Sequence, residues 1–286
     1  MLSDPIRFEG RVLFLTEDPV RILRQLAGED LDPTDTGPLR DQISTDEITP
    51  AFICYHFDQK LGDFPYLGLQ CNGTFPVKEG SVRKGGFAVS VAGKRRGKGS
   101  SREASPYAEL CAGIRVVIAE SFERIYRQNA QNLGLLTSTD FGLIPRLRRG
   151  EAIPLAEFTT GMDPVTSEIV RRGGLFPYNA ARLRGEVVPP LPIHAARPMT
   201  YAEKLLARHA VVDAAAGRLG LPAVRPGDGL FVQADWRFSH EYVTPMAASF
   251  LEQALGPEVI LREPNRILAF RDHLTFLHHS MVPEHR

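Results

Sequence analysis

The apolar run Phe87-Ala88-Val89-Ser90-Val91 passes through a glycine-rich stretch, residues 93–103, into a helical pattern at Pro106–Leu110. A second apolar run, Ile114–Ala119, follows at once. A further helical pattern, with Phe122, Ile125, Tyr126, Ala130 and Leu133 at helical spacing, stops at Gly134. Strand, turn, helix, strand and helix in so short a span predict an α/β fold. The turn reads Gly-Lys-Arg-Arg-Gly-Lys-Gly-Ser-Ser-Arg-Glu and carries chemistry as well as topology. Glycine lets the backbone approach a ligand closely, and amides at a helix start favour anions. Ser100, Ser101 and Arg102 add two hydroxyls and a forked donor suited to a carboxylate or phosphate. A phosphate-binding P-loop does not fit, because Gly93 and Gly97 enclose three residues and Lys98 is followed by Gly99. The plain alternative is a solvated basic turn.

The charge balance narrows the partners. With 34 basic and 34 acidic residues the formal net charge is zero. No global field is available to hold a polyanion, so nucleic acid is not an expected partner. The local cluster Lys94, Arg95, Arg96 and Lys98 is still felt by small acidic molecules. No apolar run approaches the ~20 residues that span a bilayer. Met1-Leu2-Ser3-Asp4-Pro5 lacks the basic-then-apolar order of a secretory signal. A cytoplasmic protein without a membrane partner is the expectation. Cys54, Cys71 and Cys111 are too few and too scattered for a disulfide framework. Buried or half-buried thiols are expected.

The length of 286 residues suits two domains. Arg11–Leu15 reads as a first strand, followed by a short helical pattern at Val20, Leu23 and Leu26. Residues 28–46 are polar and read as a loop. From 161 to 198 periodicity weakens and Pro189, Pro190, Pro192 and Pro198 crowd together, which predicts an extended linker. Thr200-Tyr201-Ala202-Glu203 then forms a capping-box pattern that predicts a helix to about His209. An apolar strand is expected after Pro226-Gly227-Asp228, and another at Arg266–Arg271.

Gly99-Ser100-Ser101-Arg102-Glu103 resembles the signature of the swivel domain in the aconitase and isopropylmalate dehydratase (isomerase) family. Residues 113–136 are similar to the segment that follows that signature. Ser44-Thr45-Asp46-Glu47-Ile48-Thr49-Pro50-Ala51 resembles the small subunit's Asp-Thr-Asp-x-Ile-x-Pro-Ala loop. The chain departs from the pattern at Ala104, where the family usually carries His, and at Cys54-Tyr55, where an arginine often follows Pro-Ala. Beyond the linker, "RPMTYAEKLLARHA" resembles the first helix of the family's large subunit. Ser239-His240-Glu241-Tyr242-Val243-Thr244-Pro245 and Asp272-His273 resemble segments of its catalytic part.

The resemblance implies an α/β swivelling β/β/α domain over residues 1–160. The linker over 161–198 leads into residues 199–286, the N-terminal portion of a catalytic domain. The implied reaction removes and re-adds water on a hydroxy-di- or tricarboxylic acid that is isopropylmalate-like or citrate-like. By position, Ser101 is the base, while Ser100 and Arg102 hold a substrate carboxylate on the turn at Gly99. His273 is the acid and Asp272 orients it. His240 lines the site, Thr45 and Asp46 belong to the loop that shapes specificity, and Lys98 and Arg96 are weaker candidates for substrate contact. A [4Fe–4S] cluster is implied for the complete enzyme, with its ligands outside this chain. They, and the remaining catalytic walls, would come from a longer polypeptide or a separate subunit. The other reading is an inactive module that holds a polycarboxylate or a partner protein.

Overall fold

The computed structural model describes residues 2–271 except 215, 242 and 262. Asp272 and His273, and with them the histidines at 278, 279 and 285, lie outside the described residues. The first strands are β1 (Arg11–Phe14), β2 (Phe87–Ala92), β3 (Val116–Ala119) and β4 (Leu136–Ser138). They form one four-stranded sheet in that order, and every pairing is parallel. The chain is therefore α/β, as the alternation of apolar runs predicts.

A parallel sheet buries both faces, and the side-chain alternation divides the residues between them. Leu13, Leu15, Val117 and Ala119 join one core. Val12, Phe14, Val116 and Ile118 join the other. The β1–β2 register skips a residue between Arg11 and Val12, and Ala88 and Val89 consequently both fall in the second core.

Helices α1 (Pro19–Leu26), α2 (Thr45–Ile48), α3 (Ser81–Lys84), α4 (Ala104–Cys111) and α5 (Arg124–Leu133) precede β4 in the chain. Ile22, Ile48, Val82, Tyr126 and Ala130 place α1, α2, α3 and α5 on the first face. The predicted face of α1 is rotated, since Val20 and Leu23 are exposed and Ile22 and Gln25 are buried. Gln25 fits there because its amide donates to the Phe14 carbonyl and accepts from the Phe14 N–H, at 2.9 and 2.7 Å. The opposite face is covered by α6 (Leu143–Arg148), α7 (Ala156–Thr159) and α8 (Pro164–Arg171), through Leu143, Leu147, Phe158 and Val170.

Helix α8 and helix α9 (Leu175–Leu183) correct the expectation of an extended linker from 161. Asp163 caps α8 by accepting from the Val165 and Thr166 N–H groups. Val165, Ile169, Tyr178, Ala181 and Val187 then form a small core of their own. The weak periodicity reflects short helices whose buried stripe is only a few residues wide. Within the stretch read as linker, the long run without regular structure begins only at 187 and reaches 200.

Helix α10 (Tyr201–His209) starts where the capping pattern predicts. The Glu203 N–H donates to Thr200 Oγ1 at 3.3 Å, and the Thr200 N–H donates to Glu203 Oε2 at 2.7 Å. Thr200→Ala is expected to cost about 1 kcal/mol of helix stability. The measurement is amide exchange at Glu203, and an unchanged rate would remove the cap's role. Helix α11 (Thr244–Leu255) follows later. The remaining strands are β5 (Val211–Asp213) with β6 (Arg218–Leu219), and β7 (Arg237–His240) with β8 (Ile267–Phe270). The strand expected after Asp228 is reduced to a single bridge between Ala210 and Val232. Among the described residues no helix is long and apolar enough to cross a membrane.

Candidate active site

The glycine-rich turn is stitched between two other segments. The Thr45 N–H donates to the Lys98 carbonyl at 2.8 Å, and the Gly97 N–H donates to the Ile43 carbonyl at 2.8 Å. On the other side the Arg96 N–H donates to the Ser121 carbonyl at 3.0 Å, and the Glu123 N–H to the Arg96 carbonyl at 2.9 Å. At Gly97, with φ +82°, an added Cβ would lie 2.2 Å from the Tyr126 ring. Only glycine permits both that backbone and that contact. Gly99, with φ +108°, passes over Thr45, whose Oγ1 would stand 3.3 Å from an added Cβ.

This stitching unites most of the residues singled out from the sequence. Thr45 Oγ1 and Ser100 Oγ are 3.4 Å apart. The Arg102 guanidinium donates to Asp46 Oδ1 at 2.5 Å and to the Thr49 carbonyl at 3.1 Å. The arginine side chain is 12% exposed, whereas that of Asp46 is 63% exposed. A largely shielded cation is thus paired with a solvent-exposed carboxylate. Helix α2 presents Asp46 because it is locked at its start, the Glu47 N–H donating to Ser44 Oγ at 3.1 Å and the Ser44 N–H to Glu47 Oε2 at 2.8 Å. That second capping box is legible in Ser44-Thr45-Asp46-Glu47. Helix α4 is pinned to α2 by the pair Thr49 Oγ1 and Ser105 Oγ, 2.6 Å apart.

Ser100 and Ser101 are exposed. Ser101 Oγ donates to Glu103 Oε1 at 3.3 Å and accepts from Asn129 Nδ2 at 3.5 Å. The sequence reading gives neither Asn129 nor Glu103 a site role. Asn129 sits on α5, 28 residues beyond the serine, and its only signal is the asparagine content of that helix. Helix α4 begins just after the turn, and its positive end favours negative charge at Ser101 and Arg102.

Arg96 corrects the sequence reading. Its side chain is 0% exposed and ion-paired with Glu109 of α4, so it is not a substrate contact and not part of a solvated turn. The same guanidinium donates to Tyr66 Oη at 2.7 Å and to Ser90 Oγ at 3.1 Å. Tyr66 and Tyr126 each donate to the Glu109 carboxylate. Burial pushes both phenols above the ordinary tyrosine range, so they act as neutral donors. The network ties the base of the turn to β2, α4 and α5. Lys98 reaches Gln42 Oε1 at 3.3 Å.

His240 ends β7 and is registered to Phe270 of β8. Its carbonyl accepts from Thr244 Oγ1 at 2.7 Å, at the start of α11. Three residues beyond it, Val243 lines the same cavity as Glu103 and Asn129. The C-terminal segment therefore lies beside the signature turn.

The cysteines do not fit an iron–sulfur centre. Cys71 is buried in the first core, its thiol donating to the Thr16 carbonyl at 3.3 Å, and burial pushes that thiol up to about 11. Cys54 lies in a different cluster with Ile53 and Ala104, and Cys111 is half-buried at the end of α4. Among the described residues no group of three or more His, Cys, Asp or Glu side chains is arranged to hold a metal.

A model of the Aconitase C-terminal domain family matches residues 72–139. The chain is 37% identical over 161 residues to the 3-isopropylmalate dehydratase small subunit of Nitratidesulfovibrio vulgaris, covering 51% of this chain and 92% of that protein. It is 33% identical over 151 residues to the isopropylmalate/citramalate isomerase small subunit of Methanocaldococcus jannaschii, covering 48% of this chain and 86% of that protein. A crystal structure of 3-isopropylmalate dehydratase from the same archaeon aligns with a TM-score of 0.38 at 29% identity, over 51% of this chain and 91% of that one.

Proposed function

Because the chain belongs to the 3-isopropylmalate dehydratase small-subunit family, we propose that it supplies the swivelling half of a hydro-lyase or isomerase acting on a hydroxy-di- or tricarboxylic acid. The supporting observation is one turn that joins a nearly buried guanidinium to exposed hydroxyls: Arg102, with Ser100 and Ser101 beside it. A substrate carboxylate exchanges with that of Asp46 on the Arg102 fork, which its anchor on the Thr49 carbonyl keeps aimed. Ser100, held near Thr45, gives a further hydrogen bond.

Ser101, after passing its own proton to Glu103 Oε1, takes the proton from the carbon next to a carboxylate. A serine alkoxide is a high-energy base, so preformed donors must stabilise it. Asn129 Nδ2, the positive end of α4 and the Arg102 charge serve that purpose, and Glu103 orients the hydroxyl in the resting state. Protonation of the departing hydroxyl is assigned to His273, oriented by Asp272. His240 belongs to the same C-terminal segment.

The cluster implied by the resemblance finds no ligands among the described residues, so no step here passes through it. A complementary polypeptide, or further sequence of the same one, is assigned to hold it. The test mixes this chain with a cluster-bearing large subunit of the family and follows water elimination from alkylmalates. Turnover is expected from the mixture and from neither part alone. A mixture that forms a stable complex but turns over no alkylmalate or citrate would remove this assignment.

A further inference from the structure

Helices α5, α9 and α11 line a half-open cavity of about 290 Å³ to which Glu103 and Asn129 also contribute. Those two residues contact Ser101 Oγ. The cavity thus borders both partners of the hydroxyl assigned as base. Apart from these two and Asn132 its walls are apolar, with Leu133, Leu175, Phe176, Val243, Met246 and Phe250. Phe176 and Phe250 meet edge to face at 5.4 Å. Beyond that pair a second hollow of about 340 Å³ continues along α9 and α11 towards Tyr107 and Gln253. A polar rim beside a carboxylate site, with an apolar depth, suits a ligand with an acidic head and an apolar tail.

We propose that this cavity receives the carbon substituent of the hydroxy-diacid, and that the substituent is an aryl or long alkyl group. The inference rests on the roles given above to Ser101 and Arg102. Size decides the class. An apolar cavity of about 150 Å³ already admits benzene, and the one here is larger. An isopropyl group has half the carbons of a phenyl ring and would make fewer contacts with the walls. The aromatic edges of Phe176 and Phe250 and the polarizable sulfur of Met246 are favourable neighbours for a ring. Ala104, where the family usually carries His, is buried in the cluster that contains Met246. Its small side chain lets α11 settle close to α4.

The test is calorimetric titration of the full chain, alone and with a cluster-bearing large subunit, using succinate, methylsuccinate, isopropylsuccinate and benzylsuccinate. Benzylsuccinate is expected to bind about tenfold or more tightly than isopropylsuccinate. Ala247→Phe places a ring into the cavity from an exposed helix position, and should bring that ratio towards one. Phe250→Ala, with folding checked by circular dichroism, should lower it by a different route. Equal affinities, a ratio unmoved by both variants, or no binding of any of the four acids overturns the proposal. Turnover of isopropylmalate without the aryl preference would defeat this inference and leave the hydro-lyase standing. An aryl preference lost in Ala247→Phe, without turnover of any acid, would do the reverse.

Discussion

Glu109→Ala is expected to destabilise the protein by about 3–5 kcal/mol, because it leaves Arg96 charged, buried and without its counter-ion. It also strips the Tyr66 and Tyr126 hydroxyls of their shared acceptor. For a chain of this size the melting temperature should fall by on the order of 10 °C. Arg96→Met should be similarly harmful, since a carboxylate is then stranded. The double variant Arg96→Met, Glu109→Leu should cost clearly less than the sum of the single changes, because a well-packed apolar replacement removes both charges. Denaturant titration of the four proteins gives the coupling, and additive losses would remove the pair from its assigned role. The network also sets an alkaline limit. The phenols titrate higher in the folded protein than the ordinary value of about 10. Their contribution is therefore complete below that value and is lost as pH rises above it towards the folded-state values. Phenylalanine at both positions should flatten that loss.

Ser101→Ala in the assembled enzyme is expected to lower kcat by roughly 10²- to 10⁴-fold with little change in KM, the signature of a lost proton transfer. The residue is exposed and outside the packed clusters, so the melting temperature should hold. Arg102→Lys should behave differently. A lysine keeps the charge but lacks the planar pair of nitrogens that lets Arg102 hold Asp46 and the Thr49 carbonyl through Nη1 while offering further N–H donors to a carboxylate. KM should rise and kcat/KM should fall roughly 10- to 100-fold, the worth of a charge-assisted hydrogen bond. Full activity in Ser101→Ala would end the assignment of the base. A pure kcat loss in Arg102→Lys would separate the guanidinium from substrate binding.

Much of this arrangement is readable along the chain where the deciding interactions are local. The run Phe87–Val91, the helix before Ile114 and the stop at Gly134 follow from apolar spacing and glycine. Thr200 to Glu203 announces a helix because both partners of the cap lie within one turn. The signature at 99–103 is contiguous, so its chemistry is visible too. Arg96 is the counterexample. Beside Lys94, Arg95 and Lys98 it looks like one more solvated cation. Its burial depends on Glu109, Tyr66, Tyr126 and Ser90, drawn from separate elements. Asn129 is hidden for the same reason. Helices α8 and α9 are obscured by prolines and glycines that mark their ends.

Amino-acid order alone determined the alternating strands and helices, the anion-holding turn and the helix starts, because each is settled by neighbours within a few residues. Tertiary structure decided which basic side chain is buried, which amide meets Ser101, and that α11 roofs a cavity beside it. Those outcomes depend on groups distant in sequence, where packing and desolvation outweigh local preference.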